Sequence, residues 1–205
     1  TYTPTLALEH FDLSEADLDT VFQMGNEVGI GAAKLRDIIA HLESTYCHSI
    51  GIEYMYIPEP ERLKWIREHI ELANRPRLDA EGRKHVLKKI SQATLFEEFL
   101  QKKFVGQKRF SLEGGESLIP ALDALIETGT TRGVREVVIG MAHRGRLSTL
   151  AHILGKPYAN ILCEFEGKAY DGDGLFDGDV KYHLGYSRKQ VADTGEEVTI
   201  TLAPN

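Results

Sequence analysis

The chain has 205 residues, which is enough for one or two domains with a sizeable core. Its formal net charge of −7 argues against a general nucleic-acid binder, and its longest apolar runs are too short to span a membrane. The two cysteines, Cys47 and Cys163, lack the close spacing of a metal-binding pair. These totals indicate an ordinary globular protein and leave its function open.

Residues 1–105 are predicted to form a mainly helical region. A capping-box pair, Ser14 and Asp17, precedes a first apolar stripe. Asp79 stands where its side chain can cap a later helix. Apolar residues recur with a period close to 3.6, which predicts four further helices at residues 32–46, 61–72, 80–91 and 94–104.

Residues 106–205 are predicted to form an α/β domain. The apolar pattern indicates helices and strands in alternation, with helices at 117–127, 147–154 and 158–165 and strands at 137–141 and 197–202. This order is typical of a mainly parallel sheet. The predicted fold class is therefore α/β, with a helical N-terminal region followed by an α/β domain.

The stretch 136–148 carries the sharpest functional signal. Its apolar run at 137–141, typical of a fully buried parallel strand, ends in His143, Arg144 and Arg146, and a helix is predicted to follow at once. Ligands of open α/β sheets bind beyond the carboxyl ends of strands, and a helix N-terminus offers free N–H groups to an anion. Arginine grips a carboxylate or phosphate with two donors, and histidine donates a hydrogen bond or moves a proton near neutral pH. We expect 142–146 to form one wall of an anion site; the alternative is a basic helix start held by carboxylates elsewhere.

His183 is the second candidate. It lies in a glycine-flanked stretch and, if it pairs in space with His143, it can hold a second substrate oxygen. Alone, it is better explained as an ordinary loop histidine. Gly114-Gly115 fits a tight turn better than a phosphate loop, because it lacks the Lys-Ser/Thr ending of a P-loop.

Four sequence blocks, in order, resemble the 2-oxoglutarate dehydrogenase family. They are YCHSIGIEYM at 46–55, KRFSLEG at 108–114, GMAHRGRL at 140–147 and GDVKYHLG at 178–185. The resemblance is to the N-terminal part of the catalytic region of the family's first component, which is thiamine diphosphate-dependent and decarboxylating.

The resemblance implies an enzyme that uses thiamine diphosphate and Mg²⁺ bound by an α/β domain, of which residues 106–205 form the first part. Such an enzyme decarboxylates 2-oxoglutarate and transfers the succinyl group to the lipoyl domain of a dihydrolipoyl succinyltransferase. It is an oxidoreductase of the tricarboxylic acid cycle, and it acts as a homodimer within a multienzyme complex. In the family, histidines matching His143 and His183 contact the substrate in the active centre, and the arginine matching Arg144 contacts the cofactor. Arg146 is then expected to support the turn.

Two departures from the family pattern bear on these expectations. Ser148 replaces the asparagine usual after the HRGRL run, which we expect to be tolerated. The aspartate and asparagine that bind the metal, and the glutamate that activates the cofactor, are expected beyond Asn205. We therefore assign no metal ligand in this chain, and expect it to be a piece of a longer protein that is inactive alone. Gly172-Asp173-Gly174 resembles the metal-binding turn, but a polar stretch precedes it where a buried strand is required.

Alternatives remain open at this point. A 2-oxoadipate dehydrogenase relative shares the HRGRL block, but Lys181-Tyr182-His183 favours 2-oxoglutarate. A structural or dimerisation module is the alternative from a different class of protein. Enzymes of this family work in the bacterial cytoplasm or the mitochondrial matrix, and the sequence does not choose between these compartments.

Overall fold

The computed structural model describes residues 6–72, 78–166, 183–193 and 195–205. The chain divides into two compact units, Thr1–Arg77 and Leu78–Asn205. The division between the units lies before residue 105, where the helical region was expected to end. The long helix Ala80–Lys103 belongs to the second unit, because it packs against later helices of that unit.

The first unit is built from two helices and a two-stranded antiparallel sheet. In this sheet, Val21 lies opposite Lys34 and Phe22 lies opposite Ala33. The elements are 3₁₀ helices at Leu8–Phe11, Glu15–Asp19 and Gln23–Asn26, strands β1 (Val21–Phe22) and β2 (Ala33–Lys34), and helices α1 (Leu35–Tyr46) and α2 (Pro60–Glu71). Ser14 and Asp17 form the predicted capping box, although the helix that they start is a short 3₁₀ helix.

The second unit carries the remaining elements. They are helices α3 (Ala80–Lys103) and α4 (Leu118–Thr131), strand β3 (Glu136–Ile139), helices α5 (Arg146–His152) and α6 (Tyr158–Phe165), and strands β4 (Tyr186–Val191) and β5 (Glu197–Leu202). The alternation of helix and strand confirms the α/β fold class.

Helix α3 is one continuous helix, so the prediction of two helices with a break at 92–93 was wrong. Asp79 caps it as predicted, since its Oδ1 accepts a hydrogen bond from the Gly82 N–H at 2.7 Å. Gln92 and Ala93 continue the helix because both residue types favour it, and Ala93 is completely buried in the core. One long helix therefore takes the place of the two short helices that were predicted for this part of the chain.

The described strands of the second unit form a mixed sheet in the order β3-β5-β4. β3 runs parallel to β5, with Glu136 opposite Thr199 and Ile139 opposite Leu202. β4, which was not predicted, runs antiparallel to β5. The sheet in this part of the chain is therefore mixed, and not mainly parallel as expected.

One hydrophobic core holds the second unit together. It brings residues from α3, α4, α5, α6 and β5 into contact, among them Phe96, Leu100, Ile119, Ile126, Leu150, Leu154, Ile161, Val198, Ile200 and Leu202. β3 contributes one face only: Val137 and Ile139 pack on the core, whereas Val138 is 65% exposed. The prediction that this strand is fully buried was wrong. Within the described residues, no helix is both long and apolar enough to cross a bilayer.

Candidate functional site

The turn between β3 and α5 carries His143 and Arg144. β3 ends at Ile139, and α5 begins at Arg146 after Gly145, whose φ of +75° lies in the left-handed region. A Cβ atom at Gly145 would lie 2.5 Å from Cδ1 of Leu112. Glycine is therefore required here both by the backbone angle and by the space.

A second segment, Phe110 to Leu112, lies directly against this turn. The Gly145 N–H donates to the Phe110 carbonyl at 3.0 Å, and the Phe110 ring lies 3.9 Å from the His143 ring between centroids. Arg144 is exposed, and its Nη1 donates to the Ser111 carbonyl at 2.9 Å. Phe110 itself has a φ of +45°, a conformation that costs a non-glycine residue energy and that marks functional loops. The KRFSLEG and HRGRL blocks thus form one surface.

Glu97 of α3 binds the residues on either side of Phe110. The sequence patterns did not identify Glu97 as part of the site. Its carboxylate is buried, with Oε1 accepting from the Leu112 N–H at 3.1 Å and Oε2 from Arg109 Nη1 at 2.8 Å. Burial raises the pKa of Glu97. The available signal was its position, because Ala93, Glu97 and Leu100 share one face of α3 and the two apolar members are completely buried.

His183 lies beside His143, as the hypothesis of a spatial pair required. The two imidazole rings are 6.2 Å apart between centroids and inclined by 28°, and both side chains are half-buried. The His183 carbonyl accepts a hydrogen bond from the Asn205 N–H at 3.0 Å, which ties this residue to the chain just beyond β5. Both histidines therefore lie beyond the carboxyl ends of the parallel strands β3 and β5.

Arg146 is the fourth basic or titratable residue of the cluster, and it is completely buried. Its guanidinium donates to the carbonyls of Met141 at 2.9 Å, Leu184 at 3.0 Å and Ala203 at 2.6 Å. Burial lowers the pKa of Arg146 from its ordinary value. The side chain thus donates hydrogen bonds to the backbone around the site, which agrees with the supporting role expected for it.

The remaining sequence predictions concern the Gly114-Gly115 turn and the stretches around residues 172–174 and 181–182. Gly114-Gly115 forms the expected tight turn, in which the Gly115 N–H donates to the Leu112 carbonyl at 2.7 Å. The stretches Gly172-Asp173-Gly174 and Lys181-Tyr182 lie outside the described residues. Across 6–72, 78–166, 183–193 and 195–205 there is no group of three or more His, Cys, Asp or Glu side chains placed to hold a metal ion.

Comparison with known proteins shows which sequences this chain is similar to. The 2-oxoglutarate dehydrogenase E1 component of Cupriavidus necator is 46% identical over 204 residues, covering 98% of this chain and 21% of the relative. That of Azotobacter vinelandii is 43% identical over 202 residues, covering 98% and 21%. The chain is homologous to one segment of 2-oxoglutarate dehydrogenase E1 components. This confirms the resemblance drawn from the four sequence blocks.

A third relative broadens the comparison. The multifunctional 2-oxoglutarate metabolism enzyme of Mycolicibacterium vanbaalenii is 45% identical over 203 residues, covering 98% of this chain and 16% of the relative. The chain therefore spans between 16% and 21% of the length of these relatives. No protein-family model matches the chain.

Proposed function

We propose that the chain is part of the decarboxylating component of a 2-oxoglutarate dehydrogenase complex. The component decarboxylates 2-oxoglutarate with thiamine diphosphate and passes the succinyl group to the lipoyl domain of a dihydrolipoyl succinyltransferase. The observation that carries this proposal is the pairing of His143, on the turn that also bears Arg144, with His183; the two rings lie 6.2 Å apart.

The residues of this surface fit two anionic ligands. A 2-oxo dicarboxylate needs hydrogen-bond donors, which His143 and His183 supply through their ring nitrogens. A diphosphate needs a cation that stays charged, and the exposed guanidinium of Arg144 is one. We propose that both histidines contact the substrate and that Arg144 contacts the cofactor. The Ser111 carbonyl, which accepts from Arg144 Nη1, orients that guanidinium.

Thiamine diphosphate, when bound, supplies the electron sink that loss of carbon dioxide from a 2-oxo acid requires, which no side chain provides. The residues of this chain bind and orient the substrate and stabilise its charge. We propose that Mg²⁺ is held by residues outside this chain, that the whole protein is a homodimer, and that it works in the bacterial cytoplasm or the mitochondrial matrix. The bacterial relatives favour the former compartment.

Steady-state kinetics of the full-length protein that contains this chain test the histidine roles. Replacing His143 or His183 by alanine is expected to lower kcat/KM for 2-oxoglutarate by about 100-fold or more, the range for losing a positioned acid–base or binding group. His69→Ala is the matched control, because that exposed ring stacks on Trp65 in the first unit, and its kcat/KM should stay within about twofold of wild type. A wild-type protein that turns over 2-oxoadipate but not 2-oxoglutarate would contradict the proposed substrate.

Calorimetry with thiamine diphosphate tests the role of Arg144 without relying on turnover. Arg144→Ala is expected to weaken cofactor binding by about tenfold or more, because a charge-assisted contact to a phosphate is lost. Unchanged affinity would favour a non-catalytic structural or dimerisation module. The 205-residue chain by itself is expected to have no decarboxylase activity, so turnover by that chain alone would contradict the proposal that it supplies only part of the site.

A further inference from the structure

Arg146 joins three separate stretches of backbone through one side chain. Nη1 donates to the carbonyl of Met141, two residues after the end of β3, and Nη2 donates to the carbonyls of Leu184 and Ala203. A longer contact of 3.5 Å runs from Nη2 to the His183 carbonyl. The side chain is completely buried, so these carbonyl groups replace the water that would otherwise solvate the charge.

Two of the three stretches carry the paired histidines. Met141 lies two residues before His143 in the turn, and Leu184 follows His183 directly. The third, at Ala203, continues β5, whose register with β3 is fixed by parallel pairing. A planar guanidinium presents its donors in a rigid fork, so it sets the spacing of the carbonyls that it binds. This side chain therefore bridges the backbone segments that carry the two imidazole rings.

An ion-pairing role does not account for the burial of Arg146. Among the residues that the structure describes, the salt bridges do not include Arg146, and its charge faces backbone carbonyls instead. Buried arginines are usually paired with a carboxylate, as Arg109 is with Glu97 at 2.8 Å. A cation that binds only carbonyls is suited to holding backbone segments in place.

We propose that Arg146 is a positioning residue that sets the distance between His143 and His183. It acts through the backbone on either side of the histidines and does not touch the substrate. The inference rests on the proposed function for its catalytic consequence, but the ring separation that it predicts is measurable without any activity.

Kinetics of Arg146→Lys in the full-length protein test the catalytic consequence. Lysine keeps the charge but has a single ammonium group in place of the fork, so it does not hold three carbonyls in one plane. We expect kcat/KM for 2-oxoglutarate to fall by about 100-fold, the size of effect that a misplacement of about 1 Å produces. The matched control is Arg188→Lys, because Nη1 of Arg188 also donates to backbone carbonyls, those of Gly155 at 2.9 Å and Leu154 at 3.3 Å. That variant should stay within about twofold of wild type, since its carbonyls flank neither histidine.

A double-mutant cycle separates positioning from general destabilisation. If Arg146 acts by placing His183 beside His143, the Arg146→Lys effect on kcat/KM should largely disappear in a His183→Ala background. If Arg146 only stabilises the fold, the same factor should appear in both backgrounds, and the proposal is then overturned. Assays are run well below the melting temperature of the least stable variant, so that all of them are folded.

The crystal structure of the Arg146→Lys protein gives a readout that is independent of activity. We expect the His143–His183 ring distance to depart from 6.2 Å, while the His143–Phe110 distance stays near 3.9 Å because the Gly145–Phe110 hydrogen bond holds it. Unchanged separation of the two histidines would overturn the proposal. If the lysine variant does not fold, Arg146→Gln, which buries no charge, is measured in the same way. A wild-type protein inactive on 2-oxoglutarate would refute the proposed function, and the ring distance would still decide this inference.

Discussion

At the scale of single residues, Glu97 shows how a buried carboxylate on a neighbouring helix supports the candidate site. It accepts hydrogen bonds from the Leu112 N–H and from Arg109, and so it fixes the segment whose Phe110 ring packs on His143. Burial raises the pKa of Glu97, whereas the hydrogen bond from the Leu112 N–H and the charge of Arg109 act to lower it and so favour the ionised carboxylate.

Replacing Glu97 by glutamine is expected to destabilise the second unit by about 2–4 kcal/mol, because Arg109 would lose its buried counter-charge and keep only the exposed Glu113, at 3.5 Å. The free energy of unfolding, measured by urea denaturation, checks this. Glu98→Gln is the matched control, since its pair with Lys102 is exposed and has an N···O distance of 3.4 Å. That control should change stability by less than about 0.5 kcal/mol. Equal effects of the two substitutions would show that the Glu97 contacts contribute no more than a surface pair.

At the scale of elements, the turn from β3 to α5 depends on the backbone conformation of Gly145. Gly145 adopts a left-handed conformation and approaches Leu112 so closely that an added Cβ atom would have to displace the leucine side chain. Its N–H also joins the turn to the Phe110 segment at 3.0 Å. The strand, the turn and the first residue of the helix therefore give three basic side chains three different environments: His143 is half-buried, Arg144 is exposed and Arg146 is buried.

Gly145→Ala is expected to lower the free energy of unfolding by about 2 kcal/mol or more, the sum of a positive-φ penalty and a close contact with Leu112. Gly140→Ala is the control on the other side of His143, because a Cβ atom there would meet nothing within 4 Å. Thermal denaturation of the two variants should place Gly140→Ala within about 0.5 kcal/mol of wild type. A Gly145→Ala protein as stable as the Gly140→Ala protein would show that the turn relaxes without cost.

At the scale of the whole molecule, the two compact units differ in the size of their cores. In the described residues the second unit buries a continuous cluster drawn from four helices and β5, whereas the first unit buries few large apolar side chains, among them Val28, Ile38 and Tyr54. The free energy of local unfolding rises with the density of buried contacts, so it should differ between the two units.

Hydrogen exchange followed by mass spectrometry tests this difference within one sample. Amides of α3, α5 and β5 are expected to exchange about tenfold or more slowly than those of α1 and α2, since opening the second unit exposes more apolar surface. Peptides from both units come from the same digest, so pH and temperature are matched. Equal protection of α1 and α3 would contradict the prediction.

Much of the architecture was predictable because it depends on neighbours in sequence. The period of the apolar residues located most helices, the cap at Asp79 was read from one side chain, and the run after Glu136 located the strand that leads to His143. β4 escaped prediction because its sequence, YSRKQV, carries two basic residues and forms a strand through pairing with β5. The break expected in α3 was wrong because its local signal was weaker than the packing of Ala93 in the core.

By itself, the sequence determined the α/β class, the residues of the turn at 142–146 and, through its four matching blocks, the family to which the chain is similar. Only the tertiary structure decided that His143 and His183 lie side by side, that Glu97 supports the Phe110 segment, and that Arg146 binds three carbonyls. The physical reason is that these contacts join residues far apart in the chain. Their distances depend on the register of β3 with β5 and on the packing of α3, which no local pattern specifies.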